Sequence, residues 1–341
     1  MSDGTRDGRQ RPPFPPPPLI ELLPAPGDVF AAAPPRPERP RYGLALLLFG
    51  LTFLFTSAMA PVMYILSRTD VMLPPTLLWE NFPFLTPRVA AWTWHDPHLL
   101  AIGLSFSATA LTILLAHELG HYIACRIYGL PCTLPYFLPV PLNFGTFGAF
   151  IRIKAPIRDK RQLFDVGIAG PIAGFVTLIP FLLYGIAKSQ PAPLTGRGEI
   201  LAPGHCLAIE LATWLFHGRL AKGMILNLHP VALGAWLGLL ATAINLLPLG
   251  QLDGGHILYA ATGRLQRRLA LPLWLVLGVM GFYWVGWFLW CAIVMLIGLY
   301  HPPVYDESAP LDPKRRLLAW LALAMLVLSF MPVPLRPISL G

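Results

Sequence analysis

A chain of 341 residues that is 55% hydrophobic and only 12% charged, with a mean hydropathy of +0.60, has too little polar surface for an ordinary soluble domain. Its formal net charge is +8, yet the Lys and Arg residues fall in short clusters beside apolar segments, a pattern of membrane-orientation signals that excludes a nucleic-acid reading. The four cysteines, Cys125, Cys132, Cys206 and Cys291, show neither zinc-finger nor redox spacing and imply no disulfide framework.

Residues 1–40 are Pro-rich and include the run Pro15 to Pro18. Such a segment buries no core and is expected to be disordered or partly polyproline II. It lacks the apolar region and small-residue cleavage site of a signal peptide, and its acidic residues and scarcity of Ser do not suit a transit peptide, so the N-terminus is expected to be retained. Tyr42 to Ser67 is the first spanning candidate, of about the 20-residue apolar length a bilayer needs. Arg36, Arg39 and Arg41 before it predict a cytoplasmic N-terminus. The stretch 68–98, with Trp79, Trp92 and Trp94, suits an interfacial loop on the far side.

A second span, about 99–128, carries His117-Glu118-Leu119-Gly120-His121 in its later half. Two histidines four apart on a helix project from one face, the spacing of two ligands of one zinc ion, and Glu118 beside them suits a general base that acts on a water at that ion. An ionisable group at such depth costs about 2.5 to 3.5 kcal/mol by insertion scales, so three clustered there point to a compensating metal. The loop 129–163 is rich in Arg and Lys and is expected on the cytoplasmic side. Within it, 144–153 reads as a short re-entrant hairpin, which serves either as an edge for an extended substrate or as a structural plug.

The third span, about 164–187, holds Gly167, Gly170 and Gly174, whose spacing lets helices approach closely in lipid and suits packing against the His-bearing helix. A polar far-side loop, 188–222, contains His205 and His217, both expected to be solvated. The next span, 228–248, runs into Asn245-Leu246-Leu247-Pro248-Leu249-Gly250-Gln251-Leu252-Asp253-Gly254-Gly255-His256. Proline and glycines there predict a helix broken at membrane depth, tolerated only where the backbone lines a cavity or is buried in protein. A catalytic zinc needs three protein ligands and an open position. Asp253 is the preferred third ligand, with His256 the chemical rival. Asn245 either hydrogen-bonds a substrate carbonyl or makes an interhelical hydrogen bond. Basic clusters on both sides of 269–300 predict an even number of crossings, a hairpin turning near Gly281 to Gly286, with one long tilted helix as the alternative, and 317–331 is a last short span.

The pairing of His117-Glu118-Leu119-Gly120-His121 with Asn245 to Gly255 resembles the site-2 protease family of intramembrane zinc metalloproteases. Gly145-Thr146-Phe147-Gly148-Ala149 and Ala169-Gly170-Pro171 are similar to its bacterial and plastid branches. The resemblance covers about residues 99–260. The spans read along the chain predict an all-α polytopic membrane protein of six to seven transmembrane helices, with a small re-entrant β-hairpin and a broken helix at the site, in one metalloprotease domain over 41–341; the resemblance implies one Zn2+ per chain on His117, His121 and Asp253. It also implies Glu118 as the base, Asn245 near the substrate, and membrane-anchored protein substrates cleaved within the bilayer. The expected location is the bacterial inner membrane. No loop between the spans is long enough for the PDZ or CBS domains of many relatives. A membrane metal or ion transporter is the alternative, since intramembrane His and Asp also mark ion pathways. Glu118 argues against it, because a carrier has no need of a base beside the ligands.

Overall fold

A computed structural model describes residues 41–68, 87–141, 144–195 and 198–340. The expected disordered tail and the loop around Trp79 lie outside them. Three helices are long and apolar enough to cross a membrane: α1 (Tyr42–Leu66), then, after the short α2 (Pro87–His95), α3 (Pro97–Ile127), and α4 (Lys160–Lys188). All three fall where the apolar runs predict them. Asp96 starts α3 by accepting from the amides of His98 (2.8 Å) and Leu99 (3.4 Å), with Pro97 in the first turn. Asp159 caps α4 in the same way, and Gln162 reaches back to the Arg158 amide at 2.8 Å.

Between α3 and α4, β1 (Tyr136–Pro139) pairs antiparallel with β2 (Thr146–Phe150). The expected hairpin therefore exists, but its first strand lies before 144, in a Pro-bounded run too short to carry a period of its own. The expected polar loop 188–222 is more structured than its composition suggested. It holds β3 (Gln190–Pro193), β4 (Gly198–Pro203) and the helix α5 (Leu207–His217). β5 (Met224–Asn227) pairs with β3, and β4 pairs with β6 (Leu335–Leu340) at the other end of the sequence.

The centre of the bundle is α6 (Pro230–Asn245), buried nearly all round. Its Trp236 is fully buried and donates its indole N–H to the Gly204 carbonyl at 3.1 Å. Glycines bring the neighbours in: Gly234 faces the Phe106 carbonyl on α3, and Gly103 on α3 faces the Ser57 carbonyl on α1. After α6 the chain is non-helical until α7 (Asp253–Thr262), so the predicted break is present. The region 269–300 forms two helices, α8 (Arg264–Met280) and α9 (Gly286–Ile297), with α8 beginning early enough to include the arginines. α10 (Pro313–Ser329) is capped by Asp312. Helices α6 to α10 run 16, 10, 17, 12 and 17 residues, at or below the lower end of the range for a spanning helix.

The basic flanks gather at one end of the bundle. Arg315 at the start of α10 pairs with Asp165 on α4 at 2.5 Å, and the Tyr128 hydroxyl, just past α3, donates to the same carboxylate. Lys160 Nζ donates to the Glu307 carbonyl at 2.7 Å.

Candidate metal centre

His117 and His121 sit four apart on the same face of α3, one helical turn from each other, as the 3.6-residue period requires. A rise of 1.5 Å per residue places His117 about 15 Å from the end of α3 at Ile127. Both imidazoles and Glu118 are buried. Asp253, the first residue of α7, enters from the other side of the break. Its Oδ2 lies 3.1 Å from His117 Nε2 and 3.3 Å from His121 Nε2, and the two Nε2 atoms are 3.1 Å apart. Among the described residues these three are the one group of His, Cys, Asp or Glu side chains whose donor atoms converge in this way.

The triangle tests whether a zinc ion fits. Bond lengths of about 2.0 to 2.2 Å in a tetrahedral site separate two ligand atoms by about 3.3 Å. The observed spacings of 3.1 to 3.3 Å match, and two imidazoles with one carboxylate leave the fourth position free for water. His121 Nδ1 lies 2.7 Å from the Val166 carbonyl on α4. That contact requires the proton on Nδ1 and leaves the Nε2 lone pair facing the other donors, the outer support that orients metal-binding histidines.

The glycine stripe on α4 makes this packing possible. A Cβ on Gly170 would overlap the His121 ring, and one on Gly174 would stand 3.1 Å from the His117 Cβ and 3.2 Å from its Nδ1. Gly120 on α3 meets the Ala169 carbonyl in return. The small residues therefore do what their spacing predicts and also form the wall of the site.

Glu118, buried beside His117, is close enough to feel the charges of His117, His121 and Asp253, and the Ile151 backbone, just past β2, hydrogen-bonds its carboxylate. Asn245, the last residue of α6, brings Nδ2 to 3.4 Å from His117 Nε2. All five residues singled out from the sequence thus meet in one place. The rival ligand His256 does not join them. Its Nδ1 is 2.7 Å from His301 Nε2 instead. Of the two isolated histidines, His205 is exposed, whereas His217 is half-buried and bonded to the Ile186 carbonyl at 2.8 Å. The Val166 carbonyl, the Ile151 amide and His301 carry no local signal, because each acts only through a partner distant in sequence.

A family model described as peptidase family M50 matches residues 105–279, which include all five residues. Among curated proteins, the chain is 32% identical over 284 residues to a probable zinc metalloprotease EGY2, chloroplastic, of Oryza sativa subsp. indica, covering 78% of this chain and 49% of that protein. It is 30% identical over 266 residues to the EGY2 protein of Arabidopsis thaliana, covering 76% and 47%, and 28% identical over 244 residues to the Arabidopsis EGY1 protein, covering 65% and 42%. The chain thus spans about half the length of these relatives.

Proposed function

This chain belongs to peptidase family M50, and on that premise we propose that it is an intramembrane zinc metalloprotease that hydrolyses peptide bonds within or near the transmembrane segments of membrane-anchored proteins. The observation that carries the reading is the buried convergence of His117, His121 and Asp253 with Glu118 next to them. His117, His121 and Asp253 would hold one zinc ion, which supplies Lewis acidity toward the scissile carbonyl and the attacking water. Glu118 accepts the proton that the water gives up as its oxygen bonds to the carbonyl carbon, and returns it to the amine nitrogen as the C–N bond breaks. The Ile151 amide fixes one face of the Glu118 carboxylate and ties its position to the hairpin. Asn245 offers an amide N–H beside the triangle, where the carbonyl oxygen gains negative charge. The carrier reading gains nothing from the comparisons, whose family is a peptidase family and which include the EGY1 and EGY2 zinc metalloproteases.

Within that proposal, the bundle crosses the membrane six to seven times. The three long helices span singly, α6 and α7 share one crossing interrupted by the break, and α8, α9 and α10 supply the rest. The gathering of Arg315, Lys160 and their partners at the Ile127 end of α3 supports a cytoplasmic placement of that end and of the site. The expected compartment is the bacterial inner membrane, and the positive-inside signals set orientation only. The chloroplastic relatives make the plastid the alternative destination, which localisation of a tagged chain decides.

The test is zinc content of the detergent-purified chain together with cleavage of a single-span model substrate by wild type and Glu118→Gln. Stoichiometric zinc in both, with cleavage by the wild type alone, is expected. Zinc-loaded wild type that cleaves no single-span substrate would refute the protease.

A further inference from the structure

Asp253 has to reach two histidines on another helix, yet it starts a ten-residue helix that follows a non-helical segment. Nothing within α7 fixes its depth or rotation, since Leu252 at the cap position makes no side-chain hydrogen bond. Packing against α4 buries Ile257 and Ala260, and a second restraint comes from the segment 297–307, behind the break. Gln251 Nε2 donates to the Ile297 carbonyl at 2.5 Å, and the Gly250 amide donates to the Leu299 carbonyl at 3.1 Å. These two contacts hold the chain just before Asp253. One turn after it, His256 meets His301, and the Tyr259 ring stacks on the same imidazole with centroids 4.4 Å apart and planes 20° apart. The Tyr259 hydroxyl donates to the Glu307 carboxylate.

His301 is the node of this strap. It is buried, and α8 pins its backbone from both sides: its amide donates to Gln266 Oε1 at 3.4 Å and its carbonyl accepts from Arg267 at 3.4 Å. Its Nδ1 lies 2.5 Å from the Pro302 carbonyl, which demands the proton on Nδ1. Nε2 is then an acceptor, so His256 Nδ1 must be the donor in the 2.7 Å bond. With both rings neutral the protons have one consistent arrangement, in which His256 Nδ1 is bonded into the strap. Asp253, His256 and Tyr259 recur every three residues, so fixing the last two fixes the helix face that carries the first.

We infer that His301 is a positioning residue for the metal centre, holding Asp253 at its ligand distance through His256 and Tyr259. The inference rests on the reading of Asp253 as a zinc ligand. His301 lies beyond the residues that match the family model.

His301→Phe keeps the stack on Tyr259 and loses both ring hydrogen bonds; His301→Gln keeps an acceptor for His256 and loses the stack. In the full chain, His301→Phe is expected to raise the zinc dissociation constant about tenfold or more. It should lower kcat with KM unchanged and speed amide exchange at residues 253–257 of the metal-free chain. His301→Gln should recover most of the zinc affinity. Two results would overturn the inference: wild-type zinc affinity and exchange in His301→Phe, or a lowered melting temperature in both variants while zinc affinity and kcat of the folded protein stay at wild-type values. A wild type that binds no zinc would remove the ligand reading, while the exchange comparison still decides whether His301 orders the start of α7.

Discussion

Adding one methyl group to Gly170 should disable the metal centre without touching a ligand. The backbone of Gly170 is held inside α4, so the position of a new Cβ is fixed, and it would lie only 2.5 Å from two carbons of the His121 ring. Carbon atoms in contact normally stand about 3.5 to 4.0 Å apart, so the shortfall is about 1 Å or more. Either α4 retreats, breaking the Val166 contact that orients His121, or the imidazole swings out of the triangle. Overpacking of this kind costs about 1 to 3 kcal/mol, and at 1.4 kcal/mol per tenfold the upper end is a zinc affinity weaker by about a hundredfold. Gly174→Ala provides an internal scale, because its Cβ would meet the nearest atoms of His117 at 3.1 and 3.2 Å, a shortfall of a few tenths. A few-fold loss is expected there. Gly50→Ala on α1 has nothing within 4 Å and should be neutral. Zinc competition against a chromophoric chelator, with cleavage of a single-span substrate in parallel, reads all three. The reasoning is refuted if Gly170→Ala binds zinc as tightly as Gly50→Ala.

Asp253→Asn removes the one anionic ligand and should weaken zinc binding by two orders of magnitude or more, while His256→Ala should cost far less; equal losses in the competition assay would return His256 to the ligand set. Asn245→Ala should leave zinc content unchanged and lower kcat by about 100- to 1,000-fold, as for loss of an oxyanion donor, and an unchanged kcat would restrict Asn245 to packing. Asp312 is held below the usual carboxylate range, first by the Arg315 amide it accepts at the start of α10. Its folded pKa is depressed, so the stability it contributes is complete above the unfolded value of about 3.9 and is lost as pH falls below that. The melting-temperature gap between wild type and Asp312→Ala should therefore be full at pH 7 and close in that acid range; a gap that persists there would show that the cap does not act through its charge.

The parts of the site that the sequence made legible are those with a local period or a break. Two histidines at four-residue spacing can face only one way on a helix, and Pro248 with Gly250 could not continue one. The stripe Gly167, Gly170 and Gly174 was readable as a close approach, although not which ring each glycine would face. What stayed hidden depends on chain segments far apart. β4 finds its partner β6 some 130 residues later, and neither strand alternates strongly enough to announce itself. α5 sits in a stretch whose flanks are polar and whose 11 residues are too few to register as a span. His301 stands among Gly298, Pro302 and Pro303, where composition says loop; its importance comes from Tyr259 and His256, which only the tertiary fold brings to it.

The break between α6 and α7 accounts for a carboxylate at the proposed third ligand position and for its origin in a distant segment. A continuous helix at this depth offers side chains only from its flanks, and its interior amides are already paired within it. Interrupting it creates a helix start inside the bundle, and Asp253 occupies the first position of that start, where the partial positive charge of unpaired amides favours an anion. The cost is a stretch of backbone that lipid cannot satisfy. Much of it is met within the protein. The Leu246 amide still bonds back to the Thr242 carbonyl, Leu247 to Ile244, and Leu252 to Leu249, and Gly250 turns outward to Leu299. Gly254 and Gly255 let the new helix start against the carbonyls of Leu246 and Gly250, where any side chain would collide. The Gly250 amide is thus satisfied by the segment that also holds His301. The same interruption that gives the metal its carboxylate therefore makes the centre dependent on residues after α9, and a substitution in 297–307 should be felt at Asp253 before it is felt in the fold.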